Sequence, residues 1–177
     1  GFPARKTLDD FDWDHQPAAR QQVTALASGA FLTEARNVVL LGPPGTGKTH
    51  LATALGMIAA HHGHRVLFAT AVDWVARLTE AHRLGRLPAE LARLRRYRLI
   101  IIDEVGYLPF EQDAANLVFQ LVSSRYEHAS LILTSNLPFS GWGETSPALL
   151  GGHVDAAMAQ PGEVKPLVDA KKLRVLA

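Results

Sequence analysis

Three short stretches carry the residue types that could do chemistry. The first is GPPGTGKT, Gly42 to Thr49, which fits the pattern G-x-x-x-x-G-K-[ST]. Glycines at 42, 45 and 47 let a backbone wrap an anion with its N–H groups, because side chains there would block the approach or forbid the turn. A lysine in this place acts as a point charge on the β- and γ-phosphates of a nucleotide, and the following hydroxyl serves as a ligand for Mg2+. Gly42, Pro43, Pro44, Gly45, Thr46, Gly47, Lys48, Thr49 and His50 are therefore the candidate nucleotide-binding run, with Lys48 at the reacting phosphates and Thr49 at the metal. The second stretch is LIIIDE (99–104), an apolar run that ends in two carboxylates. An acid at the end of a buried strand can hold Mg2+, and a second acid one residue on can orient and deprotonate an attacking water. Asp103 takes the metal role in this reading and Glu104 the base. The third is SLILTSN (130–136), which delivers the amide of Asn136 to the end of another apolar run, where it could bond a phosphate or the same water.

These groups work only if the chain brings them to one edge, and the pattern of elements predicts that it does. NVVLLG (37–42), HRVLFAT (64–70), RLIIID (98–103) and SLILTSN read as strands. Helices are expected over 17–28, 48–60, 73–84, 88–96 and 112–128. Strands that are near-continuous apolar runs and alternate with helices indicate an α/β fold, a parallel sheet covered on both faces. Ligands of such sheets bind at the carboxyl ends of the strands, which is where Asp103, Glu104 and Asn136 fall. The stretch from Pro3 to Gln16 reads as an extended lead-in anchored by Phe11 and Trp13, better suited to packing than to covering a base. HHGH (61–64) reads as a helix end closed by Gly63 rather than a metal site.

Composition narrows the class. At 177 residues, one domain with a single core is expected, and 47% hydrophobic with 20% charged residues is the balance of ordinary globular proteins. No apolar run is long enough to span a bilayer and no signal-peptide core is visible, so no membrane role and a cytoplasmic location are expected. The absence of cysteine excludes disulfides and thiolate chemistry. Net charge is +1, but seven arginines against two glutamates lie between Arg77 and Arg98. Arg83, Arg86, Arg93, Arg95 and Arg96 are the candidates for contacting a nucleic acid backbone without reading its sequence.

The segments RKTLDDFDW, NVVLLGPPGTGKTHLATALG, LIIIDEVGYLPF and NLVFQLVSSRYEHASLILTSNLPFSGWGE, between Arg5 and Glu144, resemble the IstB family of insertion-sequence helper ATPases, relatives of the DnaC helicase loader in the AAA+ class. The resemblance implies a P-loop NTPase core with a parallel sheet of about five strands in the order 5-1-4-3-2. It also implies an ATPase that uses ATP and Mg2+, assembles as an ATP-dependent oligomer on double-stranded DNA and assists a transposase. It carries Lys48 and Thr49 to the nucleotide and metal, Asp103 to the metal, Glu104 to the catalytic acid and Asn136 to the sensor.

Two departures shape the domain expectation. Family members carry an amino-terminal helical DNA-binding region ahead of RKTL, and residues 1–144 are expected to be the ATP-binding core without it. After Glu144 they continue through a helix whose arginines act on a neighbouring subunit's nucleotide, which is not recognisable from Thr145 onward. Residues 147–177 instead resemble part of a tripartite tricarboxylate receptor, with strands expected near 154–159 and 173–176 and a helix over 163–172, so that residues 145–177 form an atypical tail able to supply the last strand. The alternative function is thus a nucleotide-gated DNA-binding or loader-like protein with little turnover. A small-molecule kinase is disfavoured, because two acids suited to activating water close the LIIIDE run.

Overall fold

The computed structural model of the 177-residue chain describes residues 2–15, 17–105, 112–136, 154–157 and 174–175. Its strands are β1 (Asn37–Leu41), β2 (Val66–Thr70), β3 (Leu99–Asp103), β4 (Ser130–Ser135), β5 (Val154–Ala157) and β6 (Arg174–Val175). Its helices are α1 (Pro17–Ala27), α2 (Ala30–Thr33), α3 (Lys48–His61), α4 (Ala71–Arg83), α5 (Leu87–Leu94) and α6 (Gln112–Arg125). The described strands form one sheet in the order β2-β3-β4-β1-β5-β6, and every pairing is parallel. Every residue of β1, β3 and β4 is buried, as the uninterrupted apolar runs require of strands with helices on both faces.

The alternation of side chains along these strands divides the core. Val39, Leu41, Ile100, Ile102, Leu131 and Leu133 face a cluster built on Trp74 and Leu78 of α4, Leu87 and Leu94 of α5, and Leu117, Val118, Leu121 and Val122 of α6. Val38, Leu40, Leu99, Ile101 and Ile132 face the other cluster, made by Val23 and Leu26 of α1, Phe31 and Leu32 of α2, and Leu51, Ala52, Leu55 and Ala59 of α3. The helices that follow β1 and β3 therefore lie on opposite faces, and the carboxyl ends of β1, β4 and β3 border a crevice.

Local chemistry sets the helix limits. Thr70 caps α4, its hydroxyl accepting the Asp73 N–H at 3.2 Å and donating to the Asp73 carboxylate at 2.7 Å. Helix α3 ends through Gly63, at φ +84°, with its N–H donated to Ala60 O and that of His64 to Ala59 O, the turn expected of HHGH. On the far side of the sheet, the buried Arg125 guanidinium donates to the carbonyls of Leu94, Tyr97 and Ser130 and so ties α5, the turn after it and β4 together.

The structure departs from the sequence reading in three places. The lead-in is not extended. Thr7 and Asp10 bond through their side chains at 2.6 Å, Asp12 Oδ1 accepts the Asp14 N–H at 3.1 Å, and Trp13–His15 forms a 3-10 turn. Short polar side chains that bond nearby backbone favour such turns, and burial of Phe11 holds them in place. A short helix, α2, follows Gly29, whose φ of +79° no pattern of apolar residues announces. Finally, the sheet has six strands rather than about five, because both tail segments expected as strands, near 154–159 and 173–176, join it. β5, at 154–157, lies parallel to β1, and β6 pairs in turn with β5, so the edge of β5 is covered. The expected helix over 163–172 lies outside the described residues.

Candidate functional site

The phosphate loop joins β1 to α3 at the crevice. Gly45 and Gly47 sit at φ +82° and +83°, conformations that only glycine adopts cheaply. Gly47 is also the residue before α3 and brings no side chain to cap it, so the helix begins with backbone N–H groups directed at the loop. Lys48 is buried to 9% exposure, and its ammonium donates to Pro43 O at 2.8 Å and to Thr46 Oγ1 at 3.4 Å. Burial lowers its pKa below the usual 10.5, and the negative charge of Asp103 partly opposes the shift. A cation held beside a carboxylate and folded against a carbonyl can exchange that carbonyl for a phosphate oxygen by a side-chain rotation.

Asp103, at the end of β3, is where side chains of α3 and β4 meet. It is 4% exposed, and its Oδ1 accepts the Thr49 hydroxyl at 3.0 Å and the Thr134 hydroxyl in a short bond. The contact with Thr49 spans 54 residues of sequence and unites the two motifs that the spacing singled out. Glu104 follows in a left-handed conformation, φ +63°, and its N–H donates to Thr134 Oγ1 at 2.9 Å. The Glu104 residue is exposed while Asp103 is buried, so the two adjacent acids stand in different surroundings. Asn136, one residue past β4, holds a buried Oδ1 without a hydrogen-bond partner among the described residues. An orphaned buried acceptor at this edge is one more group suited to a polar ligand.

The lead-in completes the site on one side. Asp10, Phe11 and Asp12 face Pro44, Gly45, Thr46, Gly47 and His50 across a cavity of about 660 Å3. The Phe11 ring packs 4.6 Å from Trp13 and 5.3 Å, edge-on, from His50, whose Nε2 lies 2.7 Å from Thr7 O. Phe11 thus both packs in the core and lines the cavity. Further back, a Cβ on Gly56 would come 2.8 Å from Phe2, whose ring is 6.2 Å from Phe68. The lead-in therefore follows α3 from Gly56 to the phosphate loop. A nucleotide's donor and acceptor set fits what is present, namely glycine N–H groups and Lys48 for phosphates, and the Thr49 hydroxyl with the Asp103 carboxylate for a hard cation that takes oxygen ligands.

The structure brings Lys48, Thr49, Asp103, Glu104 and Asn136 to one edge and adds Thr134, a residue the sequence reading passed over. Its signal in the sequence is weak, since Thr134 is one of three hydroxyl residues in β4, with Ser130 and Ser135. The arginines are distributed around α4 and α5. Arg83 forms a two-pronged pair with Glu80 at 2.8 Å, Arg93 does the same with Glu90 at 3.0 Å, and Glu90 also takes Arg77 at 2.6 Å. Arg95 donates to Ser124 O, and Arg86 and Arg96 are exposed without a carboxylate partner among the described residues.

A parallel sheet in this strand order, with a glycine loop feeding α3 and acids closing β3, defines a phosphate-loop protein of the AAA+ type. The chain belongs to the IstB-like ATP binding protein family, which matches residues 1–159 and so extends past Glu144 and through β5. It is 48% identical over 154 residues to an IS21 insertion-sequence ATP-binding protein of Pseudomonas aeruginosa, covering 86% of this chain and 57% of that one. It is 41% identical over 160 residues to an IS232 counterpart from Bacillus thuringiensis, covering 89% and 64%. The chain thus spans less than two thirds of the length of these curated relatives. Among solved structures, the replication initiator DnaA bound to AMPPCP and single-stranded DNA superposes with TM-score 0.74 at 20% identity, covering 98% of this chain and 57% of that one. The DnaC helicase loader superposes with TM-score 0.67 at 20% identity, covering 97% and 96%. These likenesses establish the fold. No helix among the described residues is long and apolar enough to cross a membrane.

Proposed function

We propose that this chain binds Mg·ATP at the carboxyl edge of its sheet and hydrolyses it in support of a transposase acting on DNA. The observation that supports the reading is the Thr49–Asp103 contact beside Lys48, which joins a hydroxyl and a carboxylate suited to Mg2+ with an ammonium suited to phosphates. Backbone N–H groups from Gly45 to Thr49 and the Lys48 ammonium hold the phosphates, and the cavity bordered by Asp10, Phe11 and Asp12 leaves room for the nucleoside. Thr49 and Asp103 hold Mg2+, which when bound neutralises charge on the phosphates. Glu104 accepts a proton from the attacking water, and its exposure leaves it free of the ties that occupy Asp103. The Asn136 amide, whose Oδ1 has no partner among the described residues, orients that water or a terminal phosphate oxygen.

The insertion-sequence names of the relatives support the transposition setting, and a DNA-bound structural neighbour supports a nucleic acid partner. For contacts to the phosphate backbone, Arg86, Arg95 and Arg96 are better placed than Arg83 and Arg93, whose charges are matched by Glu80 and Glu90. ATP turnover with and without duplex DNA, alongside binding of a fluorescent ATP analogue, tests the reading. Lys48→Ala should abolish binding, and Glu104→Gln should retain binding while turnover falls by about two decades or more. Binding retained in the native chain with no hydrolysis in either condition would replace the enzyme with a nucleotide-gated DNA-binding protein. Charge reversal at Arg86, Arg95 and Arg96 should weaken DNA binding and flatten its dependence on salt, and unchanged affinity would remove DNA from that face.

A further inference from the structure

We propose that Thr134 is a positioning residue for both acids of the site, its one hydroxyl fixing Asp103 for the metal and the turn on which Glu104 stands. The proposal rests on the Mg·ATP reading above. Thr134 is 1% exposed, and its hydroxyl has a single proton to give, which goes to Asp103 Oδ1. The same oxygen accepts the Glu104 N–H at 2.9 Å. The hydroxyl is thus used in both senses, and each partner belongs to a different acid.

The demand on it comes from the backbone. Glu104 is a non-glycine residue at φ +63°, a conformation that persists only where neighbouring groups hold it. The N–H of that residue would point into the sheet edge without a partner if Thr134 lost its oxygen, since Thr134 is the acceptor the structure supplies. Asp103 has the complementary need. Its Oδ1 is shared by Thr49 and Thr134, and when the Thr49 oxygen turns to a cation, Thr134 is the remaining hydroxyl that keeps the carboxylate's orientation. Thr134 sits on β4, two residues before Asn136, so the strand that presents the sensor amide also anchors the two acids. A displacement of β4 sensed at Asn136 would reach Asp103 and Glu104 through one atom.

Three substitutions separate this role from packing. Thr134→Val keeps the volume and β-branching but has no hydroxyl, Thr134→Ser keeps the hydroxyl, and Thr134→Ala removes both without crowding. Binding of a fluorescent ATP analogue is measured in EDTA and in Mg2+, with turnover and thermal melting alongside. Thr134→Val should bind the analogue in EDTA within about threefold of the native chain, yet lose about ten- to a hundredfold in apparent Mg2+ affinity, the usual range for groups that orient a metal ligand. Its kcat should fall by a similar factor, with KM changing less than about threefold, and Thr134→Ser should restore both. If the valine variant does not fold, the alanine variant carries the same comparison.

Native Mg2+ dependence in Thr134→Val or Thr134→Ala overturns the proposal, and so does a Thr134→Ser variant as impaired as Thr134→Val. Failure of the underlying reading looks different, because Lys48→Ala and Asp103→Asn would then leave nucleotide binding and its response to Mg2+ unchanged.

Discussion

Replacing Gly47 by alanine tests the coupling between the lead-in and the phosphate loop, and Gly45 provides its internal control. Both glycines have the same left-handed geometry, φ +83° and +82°. A Cβ at Gly45 would meet nothing within 4 Å, whereas at Gly47 it would come 3.0 Å from Phe11 Cζ and closer still to Cε2. Gly45→Ala therefore carries only the backbone cost, about 1–2 kcal/mol. Gly47→Ala carries that cost and must also displace a ring wedged 4.6 Å from Trp13 and 5.3 Å from His50. Overpacking of this kind adds about 1–3 kcal/mol, for a total of roughly 2–5 kcal/mol and a melting temperature lower by about 4–20 °C in a chain of this size. Urea and thermal melts without nucleotide measure both variants, and the same pair is repeated in a Phe11→Ala background. There the ring is gone, and the cost of Gly47→Ala should fall to that of Gly45→Ala. Equal costs for the two glycines in the native background, or no change in their difference when Phe11 is removed, would refute the packing of Phe11 on the loop.

Other substitutions probe the acids and the core. Glu104→Gly should raise thermal stability by roughly 0.5–1 kcal/mol, because glycine occupies φ +63° without strain, while abolishing ATP turnover; a lower melting temperature would show that the turn is not strained. Arg125→Met removes the guanidinium from the carbonyls of Leu94, Tyr97 and Ser130, of which Leu94 O keeps the Tyr97 N–H, and should cost about 3–5 kcal/mol in urea melts; a loss below about 1 kcal/mol would refute the tie. The guanidinium itself is held down to about 10 by burial, with repulsion from Arg98 adding to the shift. Lys48 gives a pH signature. Its folded pKa is lowered beneath 10.5 mainly by burial, so between the two values the unfolded chain binds more protons and the Lys48 contribution to stability rises with pH. The stability of the native chain relative to Lys48→Met should accordingly climb as pH rises toward 10.5 and stay flat well below that window; a constant difference would contradict the burial.

Much of the site was legible because its signals are local. The glycine spacing at 42, 45 and 47, the pair Asp103–Glu104 and the amide Asn136 each depend on residues within a few positions, and the elements that carry them announce themselves by uninterrupted apolar runs. The position of β5 beside β1 agrees with the order expected of the family, and the helix end at Gly63 followed from a single residue type. The lead-in was harder. Its turns come from Thr7, Asp10 and Asp12 bonding within the segment, a competition between local hydrogen bonds that apolar spacing does not register. The pairing of Arg83 and Arg93 with Glu80 and Glu90 was hidden in a charge count, because i,i+3 neighbours matter on a helix and the sum along the chain does not.

From the amino-acid order alone come the phosphate loop, the acids and the alternation of strands and helices, since backbone conformation and hydrophobic periodicity are short-range properties. What the tertiary structure decided is which atoms meet across long stretches of chain. Thr49 and Asp103 are 54 residues apart, Thr134 and Asp103 31 apart, and His50 and Thr7 43 apart. These contacts follow from parallel register, which rests on burial of the central strands β1, β3 and β4, and from the packing of the lead-in along α3. The division of labour between two adjacent carboxylates, one buried and bound twice, the other exposed on a strained turn, is likewise a product of where β4 lies beside β3.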